Sequence, residues 1–216
     1  VFVKNIYHPS KVVNNKFTNS IEEILKSDAI FILCPTNKHY FYLNYLRKKK
    51  YKGYIFCEKL PVSKIDHINK LIKFSHKKIY FNFNLQFSEI SSFIKSNKFG
   101  NLKRLFIENS KPYLLKKNIS KNWRVKDPKI LITNLFPHYL YIIRKYLFNK
   151  NKNEFKFITG TKSEKTNIYD NISIIISNNQ CLINVVLSYS GGLKKKYILN
   201  YDKTNVEIDD IQTKIF

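Results

Sequence analysis

The chain contains no methionine. A complete gene product carries an initiator, so we expect an N-terminally truncated or processed polypeptide. Glycine is scarce: the five are Gly53, Gly100, Gly160, Gly191 and Gly192, and they cannot form a Gly-x-Gly-x-x-Gly turn. Cysteine is limited to Cys34, Cys57 and Cys181, an odd number without Cys-x-x-Cys spacing. That excludes a disulfide framework and a zinc knuckle. Cys34 and Cys57 end apolar runs, where cysteine behaves as a small hydrophobe, and a reducing cytoplasm is the expected location. Long hydrophobic runs are missing too. None approaches the roughly 20 residues of a membrane span, and the opening residues do not read as a signal peptide. No membrane partner is expected.

Acid is in short supply, with 15 Asp+Glu against 39 Lys+Arg for a formal charge of +24. Arginine is rare as well, present only at Arg47, Arg104, Arg124 and Arg144. The excess is therefore lysine, accompanied by abundant Asn, Ile, Phe and Tyr, as an AT-rich coding sequence produces. A nucleic-acid face needs its basic residues gathered on one surface. Here they are scattered, as in Lys48-Lys49-Lys50 and Lys194-Lys195-Lys196. Nucleic acid is not the expected partner; an anionic substrate or cofactor uses the same field.

What is present is globular. Across 216 residues, 44% hydrophobic and 15% aromatic content suffices for one substantial core or two small ones. Val1-Phe2-Val3 to Ile6-Tyr7 reads as a strand. Ser20 and Glu23 stand at capping-box spacing before a short helix. Ala29 to Leu33 is a continuous apolar run, expected of a strand buried on both faces. His39 to Lys49 presents Tyr40, Leu43, Tyr45 and Leu46 as a helical face, and its closing lysines complement the helix dipole. Tyr54 to Phe56 is another buried strand. Ser63, with Asp66 completing a capping box, opens a helix to Phe74, and Ile79 to Phe83 is a further strand. Strands alternating with helices predict right-handed βαβ units on a parallel sheet.

The pattern changes near residue 84. A helix is expected from Phe87 to Ser96, a strand from Leu102 to Glu108, and a long helix from Ile130 to Phe148. Only strand-like runs follow: Phe155 to Ile158, Ile168 to Ser177, Cys181 to Tyr189, Lys196 to Asn200 and Val206 to Ile208. Asn178-Asn179 and Gly191-Gly192 read as hairpin turns between them. The fold class is α/β: a partial, parallel-sheet Rossmann domain, then an α+β domain with an open, largely antiparallel sheet.

Several motifs in order resemble the Gfo/Idh/MocA family of NAD(P)-dependent oxidoreductases. Asp28-Ala29-Ile30 leading to Pro35-Thr36-Asn37-Lys38-His39 is similar to an apolar run into Thr-Pro-Asn-x-x-His. Cys57-Glu58-Lys59 is similar to Glu-Lys-Pro. Asn84-Leu85-Gln86-Phe87, Phe99-Gly100-Asn101-Leu102, Trp123-Arg124 and Asn134 to His138 resemble the motifs of the second domain. The resemblance covers nearly the whole chain. It implies an incomplete NAD(P)-binding Rossmann domain over 1–83, lacking its first strand and glycine turn, and a substrate-binding and oligomerisation domain over 84–216.

The resemblance also implies chemistry. Hydride transfer at a carbinol carbon needs an acid/base near the oxygen and a cation to steady the alkoxide. Carried over, His138 is the acid/base, and Lys59 contacts the nicotinamide ribose and the reacting hydroxyl. Cys34, Pro35, Thr36, Asn37 and His39 line the nicotinamide half, with Glu58 contacting cofactor or positioning Lys59. Asn84, Trp123, Arg124 and Asn134 face substrate, and Arg124 can hold a phosphate or carboxylate bidentately. The implied substrate is a sugar or nucleotide-sugar, and copies are expected to associate through the second sheet. Ser10 and Lys11 follow the first strand where NAD-preferring proteins place an acid. A hydroxyl and a lysine tolerate a 2′-phosphate, so NADP is favoured and NAD stays open. His67 and His76 lie on a solvated helix face without metal spacing, and no metal is expected.

The sequence departs from the family pattern in four places. The glycine turn, a unit of roughly 30 residues, is missing, so the chain as given is expected to hold cofactor weakly. Leu60-Pro61 moves the usual proline by one position, Gln86 replaces an Arg, and Asn134 replaces an Asp. A non-catalytic, ligand-sensing or scaffold relative is therefore the alternative reading, with a basic nucleic-acid-binding protein third.

Overall fold

A computed structural model of the chain describes residues 6–7, 17–18, 20–60, 62, 64–72, 78–115, 127–147, 154–164, 167–177 and 180–209. The chain divides into two compact units, Val1–Phe83 and Asn84–Phe216.

In the first unit, β1 (Ile6–Tyr7) pairs in parallel with β2 (Phe17–Thr18). A four-residue helix, α1 (Ile21–Ile24), follows. Then β3 (Ala29–Ile32), α2 (Thr36–Lys48), β4 (Tyr54–Glu58), α3 (Ile65–Ile72) and β5 (Ile79–Asn82) build a parallel sheet in the order β3-β4-β5. Alternation decides the core. Ile30, Ile32, Ile55 and Cys57 point to the face that α2 covers with Leu43 and Leu46, because side chains along a strand alternate between faces. The buried face of α2 is His39, Leu43 and Leu46 rather than the expected Tyr40 and Tyr45. Tyr45 instead donates to Glu22 at 3.0 Å.

Two further expectations are corrected here. The apolar run from Ala29 is buried on one face only: Phe31 and Leu33 are 56% and 72% exposed. Phe31, Phe56 and Tyr80 stand opposite one another across the three strands and stack at 4.8 and 5.3 Å. Ser20 occupies the N-cap of α1 but makes no side-chain cap; its N–H instead bonds Thr18 Oγ1 at 3.0 Å. Val1-Phe2-Val3, Ser63 and Asn178-Asn179 lie outside the described residues.

The second unit opens with a 3-10 turn (Asn84–Phe87), followed by α4 (Glu89–Lys95) within the helix expected from Phe87 to Ser96. Gly100, at φ +87°, makes the left-handed turn into β6 (Leu102–Ser110). The long second helix starts as a π-helical turn (Leu131–Leu135) and continues as α5 (Phe136–Tyr146). β7 (Glu154–Lys162), β8 (Tyr169–Ser177), β9 (Leu182–Ser188), β10 (Lys194–Tyr201) and β11 (Asn205–Asp209) complete a sheet ordered β11-β10-β6-β9-β8-β7. Only β6 and β9 pair in parallel; the other neighbours are antiparallel. Gly191-Gly192 is therefore no hairpin. β6, the strand that carries fully buried Leu105 and Ile107, inserts between β9 and β10 and forces the connection across its end. One face, with Leu105, Ile107, Ile174, Val185 and Leu187, packs on Leu131, Ile142 and Ile143. The opposite face carries no helix of this unit among the described residues.

Candidate active site

Of the expected cofactor residues, Cys34, Pro35, Thr36, Asn37, His39, Glu58 and Lys59 lie at the carboxyl ends of two adjacent parallel strands. β3 ends at Ile32, opposite Cys57 of β4, so Cys34 and residues 35–39 emerge beside Glu58 and Lys59. Such strand ends are where open α/β sheets hold ligands. Pro35 is the N-cap of α2, and Thr36 and Asn37 open the helix. This 13-residue helix has no acidic residue in its first turn and no side-chain cap. Neither its N-cap nor its first turn therefore compensates the positive end of its dipole, an environment that suits an anionic or strongly polar group.

His39 fixes the geometry there. It is fully buried, and its Nε2 and Nδ1 lie 2.8 Å from the Cys34 carbonyl and 2.5 Å from the Leu60 carbonyl. One imidazole thereby ties the exit of β3 to the exit of β4. A neutral ring donates from one nitrogen at a time, whereas both carbonyls only accept. Lys59 is half-buried, and the Lys59–Leu60 peptide is cis. Glu58 accepts a hydrogen bond from Asn82 Nδ2 at 2.6 Å, so the partner the structure gives it lies on β5. Burial raises the Cys34 thiol and pushes the Cys57 thiol up to about 12. Neither cysteine is a nucleophile at neutral pH.

In the second unit, Asn134 sits in the π turn and His138 in the first turn of α5, four residues on. Asn134 donates from Nδ2 to the Tyr189 hydroxyl at 3.0 Å. The next residue after His138, Tyr139, accepts from Asn109 Nδ2 at 2.5 Å. Polar contacts therefore tie both the π turn and the start of α5 to the underlying sheet. Asn84 is exposed at the start of its 3-10 turn. Ser10, Lys11, Trp123 and Arg124 lie outside the described residues. Tyr189 and Asn109 escaped the sequence reading: a buried Tyr and Asn within strand-like runs give no signal before their partners are known.

A pocket of about 350 Å³ opens on the other face of the sheet, lined by Glu108, Ser110, Asn171, Ser188 and Lys194 among others. It holds none of the expected site residues. Among the described residues no three His, Cys, Asp or Glu side chains group as a metal site. No described helix is long and apolar enough to cross a membrane.

A parallel βαβ sheet with polar strand ends, joined to a unit with a mixed, mostly antiparallel six-stranded sheet, is the Rossmann-like dehydrogenase fold. A dehydrogenase (MviM) from Clostridium difficile superposes at a TM-score of 0.74 and 17% identity, over 90% of this chain and 61% of that one. UDP-N-acetylglucosamine 3-dehydrogenase GnnA from Acidithiobacillus ferrooxidans gives 0.73 at 15%, over 92% and 63%. An inositol dehydrogenase homolog from Azotobacter vinelandii, complexed with NADH and myo-inositol, gives 0.73 at 12%, over 88% and 54%. These are Gfo/Idh/MocA-type dehydrogenases, and at such identities the likeness is one of fold. Solved structures of this kind hold NAD+, NADH or NADP. The chain spans between 54% and 63% of the length of these three proteins. No protein-family model matches the sequence. No curated protein matches it either.

Proposed function

We propose that the chain belongs to an oxidoreductase that moves a hydride between NAD(P) and a hydroxyl or keto group of a sugar or nucleotide-sugar. The observation that carries this reading is the meeting of residues 34–39 and 58–59 at adjacent strand ends of a dehydrogenase fold. Nicotinamide bound at those ends supplies or accepts the hydride. Cys34, Pro35, Thr36, Asn37, His39 and Glu58 form its surroundings. Ser10 and Lys11 tolerate a 2′-phosphate and favour NADP.

The Lys59 ammonium holds the substrate oxygen and stabilises negative charge on it. The His138 imidazole takes the hydroxyl proton during oxidation and returns it during reduction. Asn84 and Asn134 orient substrate hydroxyls, with Trp123 and Arg124 binding the remainder. Copies of the chain associate through the uncovered face of the six-stranded sheet.

Turnover of NAD(P)H, followed by absorbance against a panel of sugars and nucleotide-sugars, tests the reading. Lys59→Ala and His138→Ala should each lower kcat by roughly a hundredfold to ten-thousandfold, with unchanged circular dichroism. Full turnover in both variants would remove these residues from the mechanism. A protein that binds sugar but shows no turnover before substitution would be the ligand-sensing alternative.

A further inference from the structure

Tyr189 lies just beyond β9 and is 1% exposed. Its backbone is held on both sides: its N–H donates to the Asp170 carbonyl at 2.7 Å, and its carbonyl accepts from the Leu114 N–H at 3.0 Å. Its ring meets the edge of Tyr113 at a centroid distance of 4.9 Å. The phenol is thus anchored by the beginning of β8, the segment after β6 and a neighbouring aromatic ring. From this rigid base the hydroxyl reaches one residue of the helix above, Asn134.

Asn134 belongs to the π turn Leu131–Leu135. A π turn carries one residue more per turn than the α-helix it interrupts, and such turns recur where a helix must present side chains in a particular direction. The entry of this turn is fixed by Asp127, which accepts from the Lys129 N–H at 2.9 Å and from Thr133 Oγ1 at 2.8 Å. Its exit runs directly into the turn bearing His138. If Leu131–Leu135 tightened to α, the residues before the junction would rotate by about 100° relative to His138, the angle of one α-helical residue.

We infer that Tyr189 is a positioning residue: its hydroxyl holds Asn134 and so keeps the π turn that sets His138 in place. Phenylalanine would fill the same space and keep the contact with Tyr113. It would remove the Tyr189 hydroxyl from the contacts that hold the Asn134 amide and the turn. The importance of this for turnover rests on the proposed role of His138; the placement of the imidazole does not.

The test separates the two. Long-range ¹H–¹⁵N spectra of the histidine rings are recorded for the unsubstituted chain, Tyr189→Phe, Asn134→Ala and the double variant, with His138→Gln identifying the His138 signals. Both single variants should move the His138 ring resonances while those of buried His39 stay fixed. The double variant should move them no further than the singles, as residues acting through one contact do. Should Tyr189→Phe fail to fold, Asn134→Ala, which cuts the same bond from the half-buried side, decides alone. His138 resonances that coincide with those of the unsubstituted chain, or shifts that simply add in the double variant, overturn the inference. In kinetics, Tyr189→Phe should lower kcat between about tenfold and a hundredfold with KM for the nicotinamide cofactor within about twofold. If His138→Ala retains full turnover, the proposed function fails while the spectra still judge Tyr189.

Discussion

At the strand ends of the first unit, individual side chains do quite different things. Cys57 closes the core beneath β4 at 1% exposure. Burial raises its thiol from 9.0 to about 12, with the charges of Cys34 and Glu58 adding to the effect. An unfolded chain loses that proton first. Stability is therefore full below pH 9.0 and declines as pH rises toward about 12. Urea unfolding at several pH values between about 8 and 10.5 should show this decline. Cys57→Ala should flatten it, though not abolish it, because Cys181 and Tyr201 are raised in the same direction. An unchanged slope in Cys57→Ala would exclude the thiol as its source. The two strand ends were legible as motifs because Pro-Thr-Asn and Glu-Lys directly follow apolar runs. What Asn134 bonds to was not, since Tyr189 is 55 residues away and no local pattern links the two.

Between elements, the decisive contact is His39, which joins the start of α2 to the segment after β4. Replacing it by Phe leaves the Cys34 and Leu60 carbonyls without their ring partner, at a cost of about 1–3 kcal/mol for an orphaned buried group. The urea midpoint of His39→Phe should fall accordingly; no change would mean that solvent or other donors satisfy those carbonyls. The βαβ order was readable from the sequence because hydrophobic spacing switches between strand and helix periods at each boundary. Burial on both faces was not, because an unbroken apolar run reads alike whether one face or two are covered. Phe31 and Tyr80 show the outcome: each stacks on Phe56 of the strand between them. The π turn escaped for a related reason, since its residues fit an α-helical pattern equally well. The misread turn at Gly191-Gly192 has a topological cause. Turn chemistry reports that the chain reverses, but not which strand lies between the arms.

For the whole molecule, charge and the uncovered sheet face act against each other. Ile198, Phe106, Asn184, Ile175 and Phe157 line up in register across five strands on that face, and Phe157 is 54% exposed. Such a row favours association of copies, while a formal charge of +24 on each chain opposes it. Added salt should therefore strengthen self-association, as sedimentation velocity can follow, and Phe106→Lys should keep the protein monomeric at any salt. A monomer under all conditions would dismiss the interface. The sheet order also has a consequence for how the protein comes into being. β6 finds its two neighbours, β9 and β10, only after some 80 further residues have been made, which at about 5–20 residues per second takes on the order of ten seconds. Throughout that interval Leu105 and Ile107, fully buried in the finished sheet, have no strand to pair with. The nascent chain is most exposed to aggregation and to chaperone capture at this strand, and synthesis rate rather than final stability sets how long that exposure lasts.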